Sequence, residues 1–252
     1  MRAEKGLGQN FLCSSSVIET ILGSLEGFPG VLEIGPGPGV LTSRLADGVR
    51  QVVALELDPR MVSVLKVSAP VADVRLQDAL KSDFAQLLSG LPAPKAVVGN
   101  IPYYITSPLL EKVAQIASEI DRAVLMMQRE VADRIAAKAG DSARGSLSVY
   151  LQSRFLIEKL VDVPPDCFLP QPKVHSTVVQ LTPQSTEGAT EELFRVVRAG
   201  FSQPRKTLVN NLGAIAAKAD VQELLIEMNL SSTVRPHELT YDQWARIASA
   251  IS

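Results

Sequence analysis

The tetrapeptide Asn100-Ile101-Pro102-Tyr103 combines an amide, a backbone carbonyl held by a proline and an aromatic face. It closes an apolar stretch, Ala96-Val97-Val98-Gly99, and precedes a helix-like run from Ser107 to Val113. At a strand end these groups can grip a planar ring that carries an exocyclic amine. The Asn100 oxygen and the Ile101 carbonyl can each accept a hydrogen bond from that amine. Tyr103 can stack on the ring, as aromatic side chains do on extruded bases. An ordinary Asn/Pro turn has the same composition, so the residues around the motif decide between the two.

Upstream, an apolar strand from Val31 runs into Glu33-Ile34-Gly35-Pro36-Gly37-Pro38-Gly39, an E-x-G-x-G-x-G loop. Alternating glycines allow positive φ and close approach of a ligand. Pro36 and Pro38 stiffen the loop, which suits it less to wrapping a pyrophosphate than G-x-G-x-x-G does. A second strand, 52–57, carries Glu56 near its carboxyl end. An acidic residue there is the usual acceptor for ribose hydroxyls. A third strand, 74–77, ends in Asp78-Ala79, where a carboxylate can accept from an adenine amine. Any one of these carboxylates alone is commonly a solvated loop charge. The glycine loop, Glu56, Asp78 and Asn100 at four successive strand ends point together to a nucleoside-cofactor site.

The elements that must position these residues follow from the pattern. Apolar runs at 31–35, 52–57, 74–77, 96–99 and 122–127 alternate with helical patterns such as 59–68 and 107–117. Such alternation predicts an α/β fold, a parallel sheet with helices on both faces. Two later runs, 155–163 and 174–181, read as an antiparallel pair at a sheet edge. Residues 182–188 read as a linker. Helical patterns follow at 190–199, 205–219, 221–228 and 241–251. The division expected is a catalytic domain over 1–183 and a small all-helical domain over 184–252.

Composition excludes several classes. There is no run of about 18 apolar residues, so no transmembrane helix is expected. The first ten residues hold no apolar segment suited to a secretory signal, and a cytoplasmic location is expected. Cys13 and Cys167 are far apart in sequence and lack metal-ligand spacing, and His175 and His237 are scattered. No metal site is expected; two reduced thiols are the default. The net charge of −2 disfavours nucleic acid at first sight, since phosphate contacts need Lys and Arg. Between Leu193 and Ala219, however, there is no acidic residue, while Arg195, Arg198, Arg205, Lys206 and Lys218 are basic. Arg195 and Arg198 are spaced to share a helix face. The run is either a solvated face or an RNA-facing patch. The candidate RNA contacts are Arg195, Arg198, Arg205 and Lys206, with Arg2 and Lys5 at the N-terminus.

The loop and the N-x-P-Y motif resemble those of the class I S-adenosylmethionine-dependent methyltransferases. Further stretches are similar to one branch, the ribosomal RNA adenine dimethyltransferases. They include Lys5–Leu12 (K-x-x-G-Q-N-F-L), Gln128–Arg134 (Q-R-E-V-A-x-R), Gly145–Val149, Phe168–Ser176 (F-x-P-x-P-K-V-x-S), Phe201–Leu212 and Arg235–Leu239. The motifs run in family order over nearly the whole chain. Pro204 and His237 stand where the pattern has a basic and an acidic residue. The resemblance implies a Rossmann-like seven-stranded sheet, mostly parallel with its last strand antiparallel. It implies S-adenosyl-L-methionine as cofactor, leaving S-adenosyl-L-homocysteine, and no metal. Asn10, Leu12, Gly35, Gly37, Glu56, Leu57, Asp78, Ala79 and Asn100 would contact the cofactor. Asn100, Ile101, Pro102 and Tyr103 would hold the target base, with Phe168 on its other face. The substrate implied is a pair of adjacent adenosines near the 3′ end of small-subunit ribosomal RNA, either free or, as expected here, within an assembling subunit; a monomeric enzyme is expected. The alternatives are an erythromycin-resistance-type enzyme acting on large-subunit RNA and a non-catalytic assembly factor on the same fold.

Overall fold

The apolar runs become the strands of one twisted sheet in the computed structural model, which describes residues 9–47, 50–184 and 190–251. The chain divides into two units. One runs through Ala132 and resumes from Phe155 to Pro183; the other takes Asp133–Arg154 and the chain from Gln184 onward.

In chain order the first unit contains β1 (Phe11–Leu12), α1 (Ser15–Gly23), β2 (Gly30–Ile34), α2 (Val40–Ala46), β3 (Gln51–Glu56), α3 (Pro59–Ser68) and β4 (Asp73–Leu76). It continues with α4 (Phe84–Ser89), β5 (Lys95–Asn100), α5 (Thr106–Gln115) and β6 (Arg122–Gln128). α6 (Arg129–Ala136) and α7 (Ser146–Gln152) come next along the chain, and then β7 (Phe155–Val163), β8 (Phe168–Leu169) and β9 (Ser176–Pro183). The sheet order is β4-β3-β2-β5-β6-β9-β7. β2 to β6 are parallel, and β9 is antiparallel to both its neighbours. The expected edge pair and the expected antiparallel last strand are therefore both present. Every residue of β2 is buried, as are the central four of β5, which is why these strands read as continuous apolar runs rather than alternating ones. The order reverses between β2 and β5. In open α/β sheets the crevice beyond the carboxyl ends at such a point is where ligands bind.

A second, two-stranded ladder joins β1 to β8, with Phe11 opposite Leu169 and Leu12 opposite Phe168. Alternation along a strand sends neighbours to opposite faces. Leu12 and Phe168, 7% and 2% exposed, thus enter the core with Val17, Ile18 and Val178, while Leu169 is 71% exposed.

The second unit contains α7, α8 (Glu191–Gly200), α9 (Leu208–Leu212), α10 (Lys218–Glu227) and α11 (Tyr241–Ile251). Trp244 is fully buried and stacks on Phe201 at 5.7 Å, and a Cβ on Gly200 would collide with its ring. Residues 133–154, expected in the catalytic domain, belong with these helices. Tyr150 meets Phe194 edge-on at 4.5 Å, the Arg154 guanidinium lies over both rings, and Arg144 donates to the Leu239 carbonyl. These contacts are distant in sequence and leave no local pattern. The helix expected over 205–219 is also broken. One helix covers 208–212 and ends at Gly213, and α10 starts afresh at Lys218.

Candidate active site

Three consecutive parallel strands and the β5 turn deliver their carboxyl ends to one cavity of about 180 Å³. Gly35 and Gly37 come from the loop after β2, Glu56 and Leu57 from the end of β3, and Asp78 and Ala79 from the end of β4. Asn100, Ile101, Pro102 and Tyr103 come from the end of β5, and Asn10 from the segment leading into β1.

The loop needs its glycines. Gly35, Gly37 and Gly39 have φ of +67°, +56° and +90°, a region that side chains with a Cβ rarely occupy. A Cβ on Gly37 would stand 3.1 Å from the Phe11 ring. The loop is braced from β3. Glu56 Oε2 accepts from the Gly37 amide at 3.0 Å, and Oε1 accepts from the amides of Leu57 and Asp58, both at 2.8 Å. Burial raises the Glu56 carboxyl pKa, against the pull of those three amides. Asp58 caps α3 by accepting from the Arg60 amide at 2.9 Å, ahead of Pro59 at the first helical position. The Arg60 side chain holds the Asp58 carboxyl well below the usual range. Asp58 also accepts from Gln9 Nε2 at 2.9 Å.

Near the end of β2, two residues before Gly35, Glu33 is only 2% exposed. Burial pushes its carboxyl up to about 7, the Thr42 hydroxyl opposes this, and the Glu56 charge adds to it. Its Oε2 has no hydrogen-bond partner among the described residues. At the end of β4, Asp78 Oδ1 accepts from the Leu80 amide at 2.9 Å, and Lys81 lies 3.9 Å from Oδ2.

At the end of β5 the Asn100 amide is oriented. Its Nδ2 donates to the Asn10 carbonyl at 2.9 Å, which commits the nitrogen and leaves Oδ1 as the acceptor. The Ile101 amide donates to Met126 on β6 at 3.0 Å, so the turn is anchored to the sheet. The Tyr103 hydroxyl and Ser176 Oγ are 2.8 Å apart, and burial raises the phenol pKa, so the ring is neutral at ordinary pH.

Two predicted site residues are elsewhere. Leu12 and Phe168 face each other across the β1–β8 ladder and point into the core, not the cavity. Phe11 lines the cavity in place of Leu12. Gln9, Phe11 and Tyr104 line it without having been singled out. The first two lie inside the Q-N-F-L stretch, where a one-residue choice of face decides which side chain points to the ligand.

In the basic stretch two of the arginines are paired with acids. Arg195 forms a bidentate pair with Glu192, at 2.9 and 2.5 Å, and Arg198 lies 3.8 Å from Glu191. These acids sit in the first turn of α8, immediately before the acid-free stretch begins. Arg205 and Lys206 are exposed in the loop between α8 and α9. Buried Asn211 fixes that loop by donating to the Gln203 carbonyl at 3.1 Å. Arg2 and Lys5 lie outside the described residues. Among the described residues no cluster of His, Cys, Asp and Glu could hold a metal, and no helix is long and apolar enough to cross a membrane.

The family model for ribosomal RNA adenine dimethylases matches residues 1–252. The chain is 38% identical to the ribosomal RNA small subunit methyltransferase A of Lactobacillus delbrueckii subsp. bulgaricus, covering all of this chain and 92% of that one. It is 36% identical to the protein of that name from a Geobacillus species, covering 98% and 91%. Among solved structures, a dimethyladenosine transferase from Plasmodium falciparum superposes with a TM-score of 0.80 at 26% identity, over 94% of this chain and 95% of that one. The 23S rRNA methyltransferase ErmE superposes at 0.72 and 30% identity, over 96% and 99%. The glycine loop, the strand-end carboxylates and the oriented Asn100 therefore occur in a chain matched from end to end, and it belongs to the ribosomal RNA adenine dimethylase family.

Proposed function

We propose that this enzyme transfers methyl groups from S-adenosylmethionine to N6 of two adjacent adenosines near the 3′ end of small-subunit ribosomal RNA. The product is N6,N6-dimethyladenosine, and the substrate is the RNA within an assembling small subunit. The names carried by the relatives at 36–38% identity favour the small subunit over the large one, whose enzyme aligns at 30%. A sequence pI near 5.8 is also low for an enzyme that must hold naked RNA by charge alone. The glycine loop, Glu56, Asp78 and Asn100, gathered at one cavity, argue against a non-catalytic assembly factor.

The cavity's donors and acceptors fit a nucleoside cofactor. Glu56 takes a ribose hydroxyl, Asp78 the adenine amine, and the open backbone at Gly35 and Gly37 admits the remainder. S-adenosylmethionine, when bound, supplies an electrophilic methyl group. The chain's own task is to present the amine. The adenine N6 lone pair is delocalised into the ring, and the nitrogen is a poor nucleophile. Hydrogen bonds from its two N–H groups to Asn100 Oδ1 and the Ile101 carbonyl draw it toward tetrahedral geometry and aim the lone pair into the cavity. The same oxygens stabilise the positive charge that develops on nitrogen. The methylated nitrogen is acidic and loses its proton to water, so no strong base is required. Tyr103 offers its face to the base, held by Ser176.

The observation that carries this reading is the Asn100 amide, fixed with its oxygen as the acceptor. Asn100→Ala should lower the rate of methyl transfer far more than it lowers affinity for S-adenosylhomocysteine, because the bond is strongest in the transition state. An Asn100→Ala enzyme with the wild-type rate would remove the amide from the chemistry.

A further inference from the structure

The chain's two cysteines, 154 positions apart, lie opposite each other at the end of the β1–β8 ladder. The ladder pairs Phe11 with Leu169 and Leu12 with Phe168; Cys13 follows β1, and Cys167 closes the short turn 165–167 just before β8. The Cys13 amide donates to the Cys167 carbonyl at 2.8 Å, and the Cys13 thiol reaches the same carbonyl at 3.1 Å. The Cys13 amide bond to Cys167 is of the kind that joins antiparallel neighbours, whose Cα atoms lie about 5.5 Å apart when hydrogen-bonded, inside the roughly 4.4–6.8 Å that a disulfide spans. Cys13 is exposed, whereas Cys167 packs against the edge of the core cluster that holds Leu12 and Phe168. Both thiols are free, Cys13 is exposed and Cys167 is half-buried.

The place of the pair gives it a consequence. The segment from Gln9 to Cys13 crosses the cavity as a strap. Gln9 donates to Asp58 beyond β3, the Asn10 carbonyl accepts from Asn100, and Phe11 lies against Gly37. At its far end the strap is held by Leu12 in the core and by a ladder of two residues per strand, too short to be stable by itself. We propose that Cys13 and Cys167 form a reversible disulfide that locks this strap across the cavity and slows cofactor exchange. The oxidant is a low-molecular-weight disulfide. The exposed Cys13 thiolate attacks one of its sulfurs, forming a mixed disulfide and releasing one small thiolate. The Cys167 thiolate then attacks the Cys13 sulfur, the Cys13–Cys167 bond forms, and the second small thiolate leaves. Two protein thiols are oxidised and one small disulfide is reduced to two thiols. A reducing cytosol keeps the pair as dithiols, and the exposed position suits a labile bond rather than a structural one.

The functional half of this proposal rests on reading the cavity as the cofactor site; the disulfide itself does not. The test incubates the full-length protein with glutathione disulfide and reads its mass and its free thiols. Wild type should lose two hydrogens and both thiols, while Cys167→Ser should carry one glutathione on Cys13. Release of S-adenosylhomocysteine from oxidised wild type should slow by about tenfold or more, recover with dithiothreitol, and be insensitive to oxidant in Cys13→Ser. Separate glutathione adducts on both cysteines of wild type would overturn the disulfide. An oxidised protein that releases the ligand at the reduced rate would overturn the lock. Failure of the reduced protein to bind S-adenosylhomocysteine would sink the cofactor reading instead, and the mass measurement would still decide whether the bond forms.

Discussion

Replacing Glu56 with alanine separates two roles that its geometry combines. An ionised carboxylate offers about four lone-pair sites. At Glu56 three are taken, two on Oε1 by the amides of Leu57 and Asp58 and one on Oε2 by the amide of Gly37. One site, on Oε2, is left for a ribose hydroxyl. This limits Glu56 to a single full-strength bond to the cofactor, although an unencumbered carboxylate could take two hydroxyls. Charge-assisted hydrogen bonds contribute roughly 1.5–3 kcal/mol, so Glu56→Ala should weaken S-adenosylhomocysteine about 10- to 150-fold. The stability loss should be smaller than three broken bonds suggest, because the substitution also removes a carboxyl whose charged form is disfavoured by burial. Titration calorimetry with S-adenosylhomocysteine, alongside thermal melting of the free protein, reads both quantities. An affinity within about twofold of wild type, with a lowered melting temperature, would refute the ribose assignment and leave Glu56 as a brace for the glycine loop.

Other consequences are equally direct. Tyr103→Ala should cost roughly 1–3 kcal/mol of base stacking, whereas Tyr103→Phe keeps the face and loses only the bond to Ser176, about 1 kcal/mol. Ser176→Ala should match Tyr103→Phe, and the double variant should be no worse; a Tyr103→Phe enzyme as slow as Tyr103→Ala would contradict the stacking role. Glu33 titrates near 7 in the folded protein against a usual value of 4.5, so the fold binds its proton more tightly than the unfolded chain. Stability is then lost as pH rises between those values, by up to about 3 kcal/mol in total. Glu33→Gln should remove that slope and gain on wild type above neutral pH in denaturant titrations, and parallel pH profiles would disprove it. Changing Arg205 and Lys206 to Gln should weaken binding to small subunits and flatten its salt dependence. The same change at Arg195 and Arg198, already partnered by Glu192 and Glu191, should do much less; equal effects would show that those pairs open on binding.

The centre of the sheet was legible because β2, β5 and β6 are buried on both faces and read as unbroken apolar runs. That Gly35, Glu56, Asp78 and Asn100 share one cavity was legible because the ends of neighbouring parallel strands converge at one edge of such a sheet. What failed was non-local. No local pattern distinguishes Leu12 from Phe11 until β1 is seen to pair with β8 far along the chain. That pairing also carries Phe168 into the core and brings Cys13 to Cys167. The partners of Arg195 and Arg198 stood just before the acid-free stretch that drew attention to them. Residues 133–154 join the second unit through Tyr150, Arg154 and Phe194, contacts with no periodicity of their own.

The central claim is that the cavity presents N6 of small-subunit adenosines for methylation. The direct measurement supplies radiolabelled S-adenosylmethionine with isolated small subunits, large subunits and naked ribosomal RNA, then maps the labelled nucleosides. Label is expected in two adjacent N6,N6-dimethyladenosines near the 3′ end of the small-subunit RNA, and is expected to be lost in Asn100→Ala. Label confined to large-subunit RNA, or no transfer to any of the three substrates, would contradict it.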